Sequence, residues 1–355
     1  MLFIFNIILI LGVLSLSFFI VGKVVIIVEE KFKTKSEYLD FVEQKFEDCF
    51  SSKGYIEEQP VNITSQVDKT VDFIGSKISP LKKYILTEDF GENGRFLIQN
   101  SMKLKSLRYL KETTPQKFGS YYKCMGTLSK PDLEKVVFDM FEYLTYDKYL
   151  GIDLDDICIK ICSKDDDLMG AIRNVDSRIN REIDKTSIEH YRHKYGMSEE
   201  NITGRDFNIG VRKKGTSDYF SCGTFVLMES PNKKIAIDMG IGNCSLSMCK
   251  FGVDSTVQSS RMADLINMDS IEKEKFADSL IAVSTLLKED IINHHSKHFR
   301  KKFRQYFNAL SYWSEKLNIT KEEILVYALD YLNLEYKENF SYTDERFVKI
   351  LTLHK

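Results

Sequence analysis

The sequence predicts an α+β chain with an N-terminal transmembrane helix, then a mixed or antiparallel sheet, then a helical C-terminal region. Three patterns carry that expectation. Residues 1–28 hold one charged side chain, Lys23, in a run of Leu, Ile, Val and Phe of the length that crosses a bilayer as a helix. Asp156 to Cys162 places Ile157, Ile159 and Ile161 on one face and Cys158, Lys160 and Cys162 on the other, which is the period of a strand. From Ser259 onward apolar residues recur at helical spacing almost to the end. The chain therefore divides into an anchor (1–28), a membrane-proximal α/β region (29–128), a central sheet region (129–255) and a helical region (256–355).

The anchor reads as retained, because a cleavable signal has a basic start and a small-residue cleavage site, whereas this run opens Met1-Leu2-Phe3-Ile4. Lys23, Lys31, Lys33 and Lys35 follow the run and none precedes it, so the N-terminus is expected outside and the remainder on the cytoplasmic side. The lipid bilayer is then a partner through residues 1–28. Cysteine usage fits a reducing compartment: seven cysteines, at 49, 124, 158, 162, 222, 244 and 249, are odd in number, scattered, and read as free thiols. With 43% hydrophobic and 12% aromatic residues the rest of the chain has the material for a large core. A net charge of −2 offers no general attraction to nucleic acid, which is not among the expected partners.

Next in order, Tyr38, Leu39, Val42, Phe46, Cys49 and Phe50 form one face of a helix over Lys35 to Phe50. Val71 to Ile78 suggests a short helix. Tyr84 to Phe90 and Arg95 to Gln99 flank Gly91-Glu92-Asn93-Gly94 as a hairpin. Ser129-Lys130-Pro131-Asp132 opens a helix whose stripe is Val136, Val137, Met140, Phe141 and Leu144. Strands are expected at Phe207 to Arg212, Tyr219 to Met228 and Lys233 to Asp238, and Thr320 to Glu323 is a capping box.

Several clusters bear on chemistry. Cys158 and Cys162, four apart on a strand, stand about 13 Å apart and do not share a zinc ion. His294, His295 and His298 lack the glutamate of a zinc-protease motif. Asp153, Asp155, Asp156, Asp165, Asp166 and Asp167 bracket a strand without the spacing of a calcium loop, and no metal site is expected. Lys297, Arg300, Lys301, Lys302 and Arg304 alternate with aromatics on one helix and form a candidate contact for an anionic surface. Ser221-Cys222-Gly223-Thr224-Phe225 resembles the nucleophile region of some cysteine proteases, with His190 and His193 upstream as bases. Its place in a strand favours a packed cysteine.

Ile235-Ala236-Ile237-Asp238-Met239-Gly240-Ile241-Gly242-Asn243 is a strand ending in an acid and glycines. It resembles the cofactor loop of Rossmann-type methyltransferases and, more loosely, the phosphate loops of actin-like ATPases. That resemblance implies a ligand near Asp238, Gly240 and Gly242; the residues alone also fit a hairpin exit turning into a loop. No cofactor is specified. The function expected is that of a single-pass, membrane-anchored, non-catalytic accessory or scaffold subunit working through protein partners or self-association. The alternative is a membrane-tethered hydrolase or transferase acting on a nucleotide or other phosphate-bearing substrate.

Overall fold

The computed structural model describes residues 16–21, 24–29, 32–194 and 201–352, with side chains over 32–194 and 201–348. It overturns the transmembrane helix where 1–28 is described. There β1 (Leu16–Val21) and β2 (Val24–Glu29) pair antiparallel, Leu16 opposite Glu29 and Val21 opposite Val24. The physical reason is β-branching: Ile20, Val21, Val24, Val25, Ile26, Ile27 and Val28 are stiff at χ1 and fit a pleated surface better than a helix. Residues 1–15, 22 and 23 of that expectation lie outside the described residues. Among the described residues no helix is long and apolar enough to cross a membrane. The anchor, the outside N-terminus, the cytoplasmic placement that followed from it and the bilayer as partner fall together.

Helix α1 (Lys35–Ser52) opens on a capping box between Thr34 and Glu37 and buries Tyr38, Leu39, Val42, Phe46, Cys49 and Phe50. After the two-residue β3 (Ile56–Glu57), α2 (Ile78–Thr87) includes positions 84–87, assigned above to a strand: Leu81 and Ile85, four apart, are on its buried face. Tyr84 is therefore helical, and the glycine-rich turn leads from α2 into β4 (Arg95–Met102) instead of closing a hairpin. β5 (Tyr121–Ser129) follows, then α3 (Leu133–Thr145), capped by Asp132 rather than Ser129.

Next come β6 (Ile157–Cys162), α4 (Asp166–Ala171), β7 (Asn180–Asp184), β8 (Arg192–Lys194), β9 (Thr203–Arg212), β10 (Tyr219–Ser230) and β11 (Lys233–Gly242). β11 runs directly into α5 (Asn243–Phe251), and α6 (Ile271–Lys288), α7 (Lys297–Leu317), α8 (Lys321–Tyr336) and α9 (Glu345–Thr352) complete the chain.

β3 to β11 form one sheet in the order β3-β4-β5-β11-β10-β9-β6-β7, with β8 beside β9. Its interior is antiparallel, and the parallel pairs β3/β4 and β6/β7 lie at the edges. One face packs on α1, α3 and α5 through Phe96, Met125, Ile159, Phe207, Phe225, Ile237 and Met239. On the opposite face a smaller cluster of Leu97, Leu128, Met228 and Ala236 meets Leu81 and Ile85 of α2. A second large core, including Tyr306, Trp313, Ala328 and Leu332, joins α6, α7 and α8 and reaches the sheet at Met102 and Tyr121. The fold is thus mixed α+β, helices and a sheet, with its N-terminal expectation corrected.

Candidate functional site

Alternation along the central strands sends one set of side chains into the α1 core and the other to a cavity of about 680 Å³. On β11 the inward residues are Ile237, Met239 and Ile241, which turns Asp238, Gly240 and Gly242 toward the cavity. Thr224 and Val226 of β10 and Cys124 of β5 face it too. Register aligns these strands: Val226 stands between Asp238 of β11 and Asp206 of β9. Residues between Asp68 and Lys82 build one wall, Lys103, Phe118 and Tyr122 another, and His193 and Lys194 a third.

Lys77 lies across the floor. Its side chain is 2% exposed, its ammonium is paired with Asp238, and it donates to the Thr127 carbonyl. Glycine makes the room: a Cβ at Gly126, which stands opposite Gly240, would lie 2.5 Å from the Lys77 Cε. At the rim Asp68 accepts from Lys82 at 2.8 Å, Ser79 Oγ at 2.7 Å and Thr70 Oγ1 at 2.6 Å. Burial acts to raise the Asp68 pKa, and these donors outweigh it and hold the carboxyl below its usual value.

Lys103 is set differently. Its ammonium sits 4.1 Å from the centre of the Phe118 ring and 4.5 Å from that of Tyr122, and no carboxylate among the described residues pairs with it. Burial pushes its pKa down. The Tyr122 hydroxyl donates to the Gly75 carbonyl at 2.8 Å, which fixes that ring. His193 Nε2 lies 3.0 Å from the buried Asp206 Oδ2, and that contact raises the imidazole pKa against the opposing effect of burial.

Of the residues singled out from sequence, Asp238, Gly240 and Gly242 line this cavity together. Cys222 borders it as well, but its Sγ lies 3.5 Å from Cys249 Sγ and burial drives its pKa far up, the opposite of an activated thiol. His193 turns to Asp206 instead. The basic residues Lys297, Arg300, Lys301, Lys302 and Arg304 lie away from the cavity on α7, where Arg300 donates back to the His294 carbonyl. Among the described residues no group of three or more His, Cys, Asp or Glu is placed to hold a metal. Three of the six acids around β6 are paired with arginines: Asp165 with Arg192 and Arg205, Asp167 with Arg205, Asp156 with Arg212. Lys77 and Lys103 were missed from sequence, since neither stands in a local pattern that separates it from a surface lysine.

No protein-family model matches the chain. Part of it is similar to alanine–tRNA ligases. Identity is 27% over 129 residues with the ligase of Latilactobacillus sakei, 23% over 202 with that of Halalkalibacterium halodurans and 26% over 181 with that of Listeria welshimeri. These stretches cover 36%, 56% and 49% of this chain but only 14%, 19% and 18% of the ligases. Two solved structures are alike at lower levels. The RNA-binding domain of threonyl-tRNA synthetase from Cryptosporidium parvum has a TM-score of 0.43 at 11% identity, over 61% of this chain and 64% of that one. Apo histidyl-tRNA synthetase from S. aureus has a TM-score of 0.38 at 11% identity, over 62% and 68%.

The expected membrane-anchored scaffold is corrected here. Its anchor is replaced by strands over the described part, and the sequence likeness is to tRNA ligases. The membrane-tethered hydrolase or transferase depended on the same anchor and is withdrawn with it.

Proposed function

We propose that this chain binds a small carboxylic acid in the cavity above β5, β11 and β10, with the acid's carboxylate against Lys103. The observation that carries the reading is the charge pattern of the lining. Lys77 is matched by Asp238 and Lys82 by Asp68, whereas Lys103 is half-buried between two rings with no carboxylate among the described residues paired to it. A desolvated ammonium without a counter-charge is costly, and an anion delivered by a ligand offsets that cost. Partial likeness to proteins named for joining alanine to tRNA supports an acid of amino-acid size. A volume of about 680 Å³ is in the range of small-molecule sites and exceeds a lone amino acid, so a substituent on the acid has room.

Ligand-observed NMR titration with acetate, propionate, L-lactate and L-alanine tests this. At least one of these acids is expected to bind, and Lys103→Met to weaken it by about tenfold or more, the size of a lost charged hydrogen bond. Failure of the whole panel, or affinity indifferent to Lys103→Met, overturns the reading.

A further inference from the structure

We infer that Lys77 makes the cavity select acids without a free α-ammonium group. The inference rests on the carboxylate reading above and adds the ligand's chemical class. A zwitterion needs a cation for one end and an open carboxylate for the other. Lys103 supplies the first.

For the second the cavity lining holds two aspartates, and both are engaged. Asp68 accepts from Lys82, Ser79 and Thr70. Asp238 is paired with Lys77, whose ammonium occupies the place a ligand's ammonium would take. Asp206, the remaining acid nearby, has an Oδ1 without a donor among the described residues, but it is 1% exposed and does not border the cavity.

Lys77 does not yield Asp238 easily. Its stem lies in the trench opened by Gly126, its ammonium also donates to the Thr127 carbonyl, and with 2% exposure it has little access to water. Leaving Asp238 would strand a buried cation beside an incoming one, which repel at short range. A 2-hydroxy acid, a 2-oxo acid or an acid whose nitrogen is acylated meets no such conflict. Its carboxylate faces Lys103, and its neutral oxygen or amide meets the hydroxyls of Thr224 and Ser245 in the lining.

L-Lactate and L-alanine differ at the deciding group, a hydroxyl in place of an ammonium. The test compares their affinities for the full chain by the same NMR titration, with Lys77→Met and Lys77→Arg as variants. The unaltered protein is expected to bind L-lactate at least about tenfold more tightly than L-alanine, as for one charged contact. Lys77→Met, which opens Asp238, should close or invert that gap, and Lys77→Arg should keep it. Equal binding of the two acids, or a preference for alanine, by the unaltered protein overturns the inference and leaves the carboxylate reading standing. A folded Lys77→Met that still prefers lactate overturns the role of Lys77. If Lys77→Met does not fold, the comparison on the unaltered protein decides alone. Absence of binding by every acid in the panel removes the carboxylate reading and this inference with it.

Discussion

Asp278 shows how a single buried carboxyl sets a pH dependence. It lies on α6 and accepts from the Ser120 N–H at 2.6 Å and the Ser120 hydroxyl at 3.0 Å. Burial nevertheless pushes its pKa up to about 6, from 3.8. Between those values the native state holds a proton that the unfolded chain has lost, so this group makes stability fall as pH rises from about 4 to about 6. Asp278→Asn, which keeps an acceptor for Ser120, is expected to flatten that part of the curve. Urea midpoints measured across the interval check it, and equal slopes for the two proteins would count against the assignment. Legibility at this scale follows local context. Asp238 stands out because it ends an alternating apolar run before glycines, whereas Lys103 in Met102-Lys103-Leu104 acquires its meaning only from Phe118 and Tyr122, brought to it by β5 and the loop before it.

Between elements, the decisive contact is Arg261, 1% exposed, in the short turn of Arg261–Asp264. It donates to the Ser36 carbonyl at 3.0 Å and Glu43 at 2.9 Å on α1, and to Glu335 at 3.1 Å on α8. Lys123 of β5 pairs with the same two glutamates, at 2.8 and 3.1 Å, so helix, helix and sheet meet on one buried ionic cluster. Arg261 also pairs with Asp40 at 2.7 Å, so Arg261→Met leaves three carboxylates short of a cation and is expected to cost about 3–5 kcal/mol. Asp40→Asn, at the exposed edge of the cluster, should cost under about 1 kcal/mol. Chemical denaturation of the two variants measures both, and similar small losses would show the cluster to be dispensable. Elements with strong local signals were legible, as with the Thr320–Glu323 capping box that opens α8. The hairpin over 16–29 was not, because counting apolar residues registers transfer energy and ignores the β-branching that selects strand over helix. Tyr84 failed for a related reason: a short apolar run fits either period until its partner, here the Leu81–Ile85 face on the sheet, is known.

Across the whole molecule one sheet carries helices on both faces, and the C-terminal helices are bound to it by more than apolar contact. Trp313 of α7 donates its indole N–H to the Leu110 carbonyl at 2.6 Å, and Tyr121 of β5 donates to Glu335 of α8 at 2.9 Å. Trp313 is the chain's single tryptophan and is fully buried in the C-terminal core, so its fluorescence reports that core. Far-ultraviolet circular dichroism reports the chain as a whole. The two probes are expected to give coincident unfolding transitions; a separate, earlier fluorescence change would show the helical part to be an independent unit. This scale was the least legible in the sequence. The pairing of β5 with β11 joins residues more than a hundred positions apart, and no local period encodes it.

The trench at Gly126 gives an uncharged atom control over charge. A methyl group there would press on the Met239 carbonyl and on the Lys77 arm together. The carbonyl, at 2.2 Å the tighter contact, clears only if β5 and β11 move apart, and the arm, at 2.5 Å, swings aside as well. Asp238 would then lose its companion. One added carbon, carrying no polarity of its own, would turn a floor of matched charges into an exposed anion and reverse what the cavity attracts.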